Sequence, residues 1–147
     1  MPRLLIIDDH PPIVELLTQF CEGEKYQVDT ALSGADGLQL IRETLPDVVL
    51  VDLQLGDMTG IDLLRMAKAD GCTSRFVFIT GHADVRTAVD AMKNGASEYL
   101  TKPLDLNELR SVIHEALEQR SQGATGRKVI LVYPKQQGAS LTVNAAG

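Results

Sequence analysis

The chain has 147 residues, 44% of them hydrophobic, which suits one globular domain that can bury a core without disulfide or metal staples. Two cysteines, Cys21 and Cys72, are too few for a disulfide framework, and a net charge of −6 offers no basic footprint for nucleic acid. The first apolar run stops at Asp8, well short of the ~7–15 residues of a signal-peptide core or the ~20 of a membrane span, so the chain is expected to work in the cytoplasm, off the membrane.

That first run, Leu4-Leu5-Ile6-Ile7, is continuous, as in a strand buried on both faces of a parallel sheet, and it ends in Asp8 and Asp9. Pro11 and Pro12 suit the first turn of a helix, where a missing N–H costs nothing, and Ile13, Leu16, Leu17, Phe20 and Cys21 form one face of it. Tyr26 to Leu32 reads as a weaker edge strand. Ser33 and Asp36 make a capping box for a second helix carrying Leu38, Ile41 and Leu45. Val48 to Val51 is a third strand, ending at Asp52, and Ile61, Leu64 and Ala67 mark a third helix. Phe76 to Ile79 leads to Thr80. A fourth helix is expected to bury Val85, Ala88, Val89 and Met92 and to stop at Asn94-Gly95. Glu98 to Leu100 is the fifth strand, with Lys102 and Pro103 just beyond it. Asp105 and Glu108 cap a last helix whose apolar face is Leu106, Leu109, Val112, Ile113, Ala116 and Leu117.

Strands alternating with helices imply an α/β fold, a doubly wound five-stranded parallel sheet, for which the order 2-1-3-4-5 is a common solution. The domain is expected to span residues 1–120, with a flexible linker over 121–128. In the tail, 129–147, Val129 to Tyr133 and Ser140 to Val143 read as a possible hairpin or the stub of a truncated output region, too short to hold its own core. All 20 acidic residues precede position 121, and beyond it the charged residues are Arg127, Lys128 and Lys135, a pattern read as a solvated tail.

In that strand order, strands 1, 3, 4 and 5 are neighbours. Asp8, Asp9, Asp52, Thr80 and Lys102 therefore converge at the carboxyl edge of the sheet, where such folds bind ligands. Two carboxylates about 5 Å apart repel by roughly 3 kcal/mol at an effective dielectric near 20. Such a cluster wants a hard cation with oxygen ligands, and magnesium fits. A carboxylate held there can attack phosphorus and form an acyl phosphate. Asp52 is central and is the natural acceptor; Thr80 and Lys102 are placed to bind the oxygens of the arriving group. Singly, Asp9 reads as a helix cap, Asp52 as a loop acid and Lys102-Pro103 as a turn. The convergence of all of them carries the functional reading.

From about residue 3 to about residue 120 the chain resembles the response-regulator receiver family, with its flavodoxin-like fold. The resemblance lies in Ile6-Ile7-Asp8-Asp9-His10-Pro11, Val51-Asp52-Leu53, Ile79-Thr80-Gly81, Leu100-Thr101-Lys102-Pro103 and the run Ala91 to Tyr99. It implies that Asp52 accepts a phosphoryl group from a histidine kinase or phosphotransfer protein. Asp9, Asp52 and the backbone carbonyl of Gln54 would hold Mg2+ directly, and Asp8 through water. Thr80, Gly81 and Lys102 would bind the phosphoryl group, Pro103 would follow a cis peptide bond, and Thr80 and Tyr99 would move together as a switch. The surface of the fourth helix, fifth strand and fifth helix would then change and could serve a homodimer. Side chains two residues past the aspartate and the threonine, Gln54 and His82, would border the path of hydrolytic water and tune the lifetime of the phosphorylated form.

The output implied is transcription regulation through a further domain; a stand-alone phosphate relay is the alternative. Nothing beyond self-phosphorylation and slow self-dephosphorylation is expected by way of catalysis. One departure from the family pattern is Gly56, where proline is frequent, and a more mobile Leu55–Thr59 loop is the expectation. A flavodoxin-like electron carrier would need a hydroxyl- and glycine-rich loop in place of Asp8-Asp9-His10-Pro11-Pro12. An aspartyl phosphatase would carry an aspartate where Gln54 stands, and a pure interaction module would have lost part of the cluster.

Overall fold

A computed structural model describes residues 1–81 and 85–124. His82 and the tail beyond Ala124, including the Val129–Tyr133 and Ser140–Val143 segments, lie outside the described residues. The chain divides into two units, Met1–Leu117 and Glu118–Gly147. In the second, residues 118–124 are helical, so Ser121 to Ala124, read above as linker, continue a helix. Adding residues to an existing helix costs far less than nucleating one, and Ser, Gln and Ala are tolerable helix formers.

The elements run in the order β1 (Arg3–Ile7), α1 (Pro11–Gly23), β2 (Gln27–Ala31), α2 (Gly34–Thr44), β3 (Val48–Val51), β4 (Gln54–Leu55), β5 (Met58–Thr59), α3 (Gly60–Ala69), β6 (Arg75–Thr80), α4 (Val85–Lys93), β7 (Glu98–Thr101) and α5 (Leu106–Ala124). The main sheet is parallel with order β2-β1-β3-β6-β7, the expected 2-1-3-4-5 winding once the small hairpin β4–β5 is set aside. Side chains alternate cleanly across it. Leu4, Ile6, Val48, Leu50, Val77 and Ile79 face Val14, Leu17 and Cys21 of α1 and Leu109, Val112, Ile113 and Ala116 of α5. Leu5, Ile7, Val49, Val51, Phe76 and Phe78 face Leu38 and Ile41 of α2, Ile61, Leu63, Leu64 and Ala67 of α3, and Ala91 of α4. Both faces are covered, which is why the central strands read as unbroken apolar runs.

The helix signals hold in detail. Pro11 and Pro12 occupy the first positions of α1. Ser33 Oγ accepts from the Asp36 N–H at 3.1 Å at the start of α2. Asp105 accepts from the N–H groups of Asn107 and Glu108 before α5. Gly95, at φ 103°, ends the α4 region with the positive φ that glycine takes without strain. Cys21 is fully buried, and burial, then Glu24 and Glu22, push its thiol up to about 12, which makes it an inert core residue.

Three expectations need correction. Val85, Val89 and Met92 of α4 were expected to be buried, yet they are 82%, 47% and 45% exposed, and Ala91 is the residue that helix buries. Leu16 and Leu45 also point outward, while Val14 takes an inward place on α1 and Leu45 leaves the helix in a left-handed conformation as the cap of α2. The third concerns the Leu55–Thr59 segment, read above as a loop. It folds into the β4–β5 hairpin, pairing Gln54 with Thr59 and Leu55 with Met58, and Gly56 is not among the glycines at positive φ.

Candidate functional site

Backbone pairing delivers the site residues to one edge. Val51 pairs with Ile7 on one side and Phe78 on the other, so Asp52 emerges between the ends of β1 and β6. The Asp52 N–H donates to the Ile7 carbonyl at 3.1 Å and the Asp8 N–H to that of Ala31 at 3.2 Å, extending the ladder to both aspartates. Thr80 pairs with Thr101, and the Lys102 N–H donates to the Thr80 carbonyl at 2.8 Å, which sets the lysine one residue past its strand. The Lys102–Pro103 peptide bond is cis, as the resemblance implied.

At the centre, Lys102 Nζ donates to Asp52 Oδ2 at 3.0 Å and to Asp8 Oδ2 at 3.2 Å. Both aspartates are buried, at 6% and 2% exposure, and Thr80 is fully buried beside them. Burial by itself would lower the Lys102 ammonium, but its hydrogen bond to Asp52 and the charges of Asp52 and Asp8 outweigh that and hold it above its ordinary value. A raised lysine keeps its proton below and through its usual range, so this ion-pair contribution fades only as strongly alkaline pH is reached. Asp52 Oδ1 accepts from the Gln54 N–H at 3.0 Å, which fixes the other edge of its carboxylate.

Asp9 is more open to water, and it is not the helix cap that a lone reading would make it: His10 is the N-cap of α1 and makes no side-chain capping bond. His10 was not anticipated as part of this site. Its Nδ1 lies 3.0 Å from Asp9 Oδ1 and 3.2 Å from Asp8 Oδ1, and its N–H donates to Asp8. Donor atoms of Asp8, His10 and Asp52 lie within 4.8 Å of one another, so oxygen donors with one imidazole could share a cation. Gly81 is exposed past Thr80, Gln54 has its side chain in water, and Tyr99 is half-buried against the α2–α3–α4 core.

Beside Tyr99, the Glu98 carboxyl sits above its ordinary range, chiefly through burial, with Glu115 and Glu108 adding to the effect and the Tyr99 N–H, donating at 3.0 Å, opposing it. An acid raised in the folded state binds more protons there than in the unfolded chain, so its ionisation weakens folding as pH climbs above ~4.3. Glu98→Gln keeps the acceptor and removes the charge. The variant is expected to be more stable than wild type at pH 7, by less than about 1 kcal/mol because the group is partly hydrated, and so to melt higher, with the gain gone near pH 4. Melts at the two pH values check this.

A parallel α/β sheet with a lysine-bridged pair of buried aspartates and a buried threonine at its carboxyl edge defines a doubly wound domain with an acidic pocket where such folds bind ligands. Comparison with known proteins specifies it: the model of the response regulator receiver domain matches residues 4–114, and the chain belongs to that family. It is 35% identical over 122 residues to the alginate biosynthesis transcriptional regulatory protein AlgB of Pseudomonas putida, covering 83% of this chain and 27% of that protein. Among solved structures, it superposes on the signal receiver domain of a LuxO repressor protein from Vibrio parahaemolyticus with TM-score 0.81 at 26% identity, over 86% of this chain and 98% of that one. The beryllofluoride-activated NtrC4 receiver domain dimer gives TM-score 0.77 at 33% identity, over 82% and 99%. The chain spans about a quarter of the length of the curated relatives it matches. Among the described residues, no helix is long and apolar enough to cross a membrane.

Proposed function

We propose that this domain is a phosphorylation-dependent switch of a two-component system that takes a phosphoryl group on Asp52 from a histidine kinase or phosphotransfer protein. The observation that carries the reading is the Lys102 ammonium, just past β7, shared between buried Asp52 and Asp8 at the ends of β3 and β1. The buried oxygen donors of Asp8 and Asp52, grouped with His10 within 4.8 Å, suit a hard cation. Following the resemblance, Asp9, Asp52 and the Gln54 carbonyl would hold magnesium directly and Asp8 through water, and it would offset negative charge on carboxylate and phosphoryl oxygens. In the transfer, an Asp52 oxygen forms a new O–P bond while the P–N bond of a phosphohistidine donor breaks, and its electron pair leaves on the imidazole nitrogen. Lys102 would swing its ammonium from carboxylate to phosphoryl oxygen, and the Thr80 hydroxyl and Gly81 N–H would bind the remaining oxygens. Thr80 moving inward would let half-buried Tyr99 follow, remodelling the α4–β7–α5 face. Gln54 and His82 would set how fast water removes the group.

No external substrate is turned over in this reading, and the domain acts in the cytoplasm. Because the named relatives are transcriptional regulators and the NtrC4 receiver is a dimer, transcription is the proposed output and self-association through α4–β7–α5 the proposed partner mode. A stand-alone relay is the second reading. Acetyl phosphate with magnesium is expected to add one phosphoryl group, visible by intact mass, and none when the cation is chelated. Labelling independent of magnesium, or mapped to a peptide without Asp52, would overturn the proposal.

A further inference from the structure

The β4–β5 hairpin is tied down at three points, and the third is far from it in sequence. Its entry is fixed where the Gln54 N–H donates to Asp52 at 3.0 Å. Its exit is fixed where Thr59 caps α3, accepting from the Asp62 N–H at 3.1 Å, and where the Gly60 N–H donates to the Leu53 carbonyl at 2.7 Å. Its tip is fixed by Asp57, whose two carboxylate oxygens accept from the N–H groups of Gly34 at 2.8 Å and Ala35 at 2.9 Å, the first residues of α2. These are donors that a helix leaves without internal partners, and the helix dipole favours an anion there. Those two hydrogen bonds lower the Asp57 carboxyl below its ordinary value, so the clamp is charged at neutral pH. Met58 packs on Gly34 so closely that a side-chain carbon at that glycine would strike its thioether, 2.6 Å from the sulfur.

The clamped tip bears on the acidic pocket. Gly56, the residue before Asp57, lies within reach of Asp9, whose Oδ2 would be 3.9 Å from a carbon added there. That is ordinary van der Waals distance, so the approach does not depend on glycine; the freedom glycine leaves in the backbone is restrained by Asp57. Two opposing effects decide the geometry here, backbone freedom at Gly56 and two charge-assisted hydrogen bonds at its neighbour, and the hydrogen bonds prevail in the hairpin observed.

We propose that Asp57 is a positioning residue for the Asp9–Asp52 pocket: by capping α2 it holds the Gln54–Gly56 backbone at the distance from Asp9 and Asp52 at which a divalent cation is bound. This rests on the reading of the pocket as a magnesium site. The test is calorimetric titration of the full chain with magnesium chloride, together with thermal melts, for wild type, Asp57→Ala, Asp57→Asn and Ser33→Ala. Ser33 caps the same helix through Asp36 and has no contact with the hairpin in the hydrogen bonds described, so it reports helix stability alone. Asp57→Ala is expected to weaken magnesium about tenfold, the low end of what a lost supporting contact costs at a metal site. Asp57→Asn, which keeps an acceptor for one N–H, is expected to recover part of that and serves also if the alanine variant folds poorly. Ser33→Ala should lower the melting temperature while binding magnesium as wild type does. Wild-type affinity in Asp57→Ala, or equal weakening in Ser33→Ala, overturns the inference. A wild-type chain that binds no magnesium overturns instead the reading of the pocket.

Discussion

Asp52→Asn is expected to fold and to accept no phosphoryl group from acetyl phosphate and magnesium under conditions that fully label the wild type. The amide has nearly the shape of the carboxylate, and its oxygen can still accept from the Gln54 N–H that now donates at 3.0 Å. Lys102 retains Asp8 at 3.2 Å, so no buried charge is stranded. What the amide lacks is an oxygen with the electron density to attack phosphorus. Asp8 is the other buried carboxylate among the described residues, and hydrogen bonds hold the oxygens of both; what singles out Asp52 is its central place between strand ends β1 and β6. Intact mass after incubation decides: a mutant labelled as completely as wild type would place the acceptor elsewhere.

Lys102→Met is expected to destabilise the metal-free protein by about 3 kcal/mol, the lower end of the cost of stranding one side of a buried ion pair, because the ammonium is partly hydrated. Methionine keeps the length and most of the volume, so the loss reports charge rather than a cavity. Two buried carboxylates with donor atoms inside 4.8 Å would then face each other unscreened. Their repulsion and the two lost ion pairs make up the deficit. Magnesium should offset much of it. Urea unfolding with and without the cation tests each part; a metal-free variant as stable as wild type would mean that water already carries the charge of Asp8 and Asp52.

The sheet was legible because its central strands are apolar without a break, which only a doubly covered parallel sheet requires, and the site followed because strand order converts positions 8, 52, 80 and 102 into neighbours. The face of α4 was not legible. Val85, Val89 and Met92 form a stripe at helical spacing whether they meet the sheet or water, and periodicity carries no information about which. Asp57 was missed for a different reason: its partners are 22 and 23 residues away, and an exposed acid in a loop has no local mark of the helix it will cap. His10 was passed over as a residue between the acidic pair and the prolines, although its position beside two carboxylates was the available signal.

The outward stripe of α4 has an energetic consequence of its own. Folded helices are normally held in place by the apolar area they would return to water on moving, about 25 cal/mol per Å². In α4 Val85 is largely hydrated and Val89 and Met92 about half so, and Ala91 alone is fully packed. A sliding or tilting of this helix that keeps Ala91 seated would therefore return little further apolar area to water, and a small free-energy gap between two such placements is the expected result. A gap of ~1–3 kcal/mol is the range in which a single new charge at a neighbouring strand end can invert the populations. The weak anchoring makes α4 a helix whose position is set by its surroundings more than by its own burial.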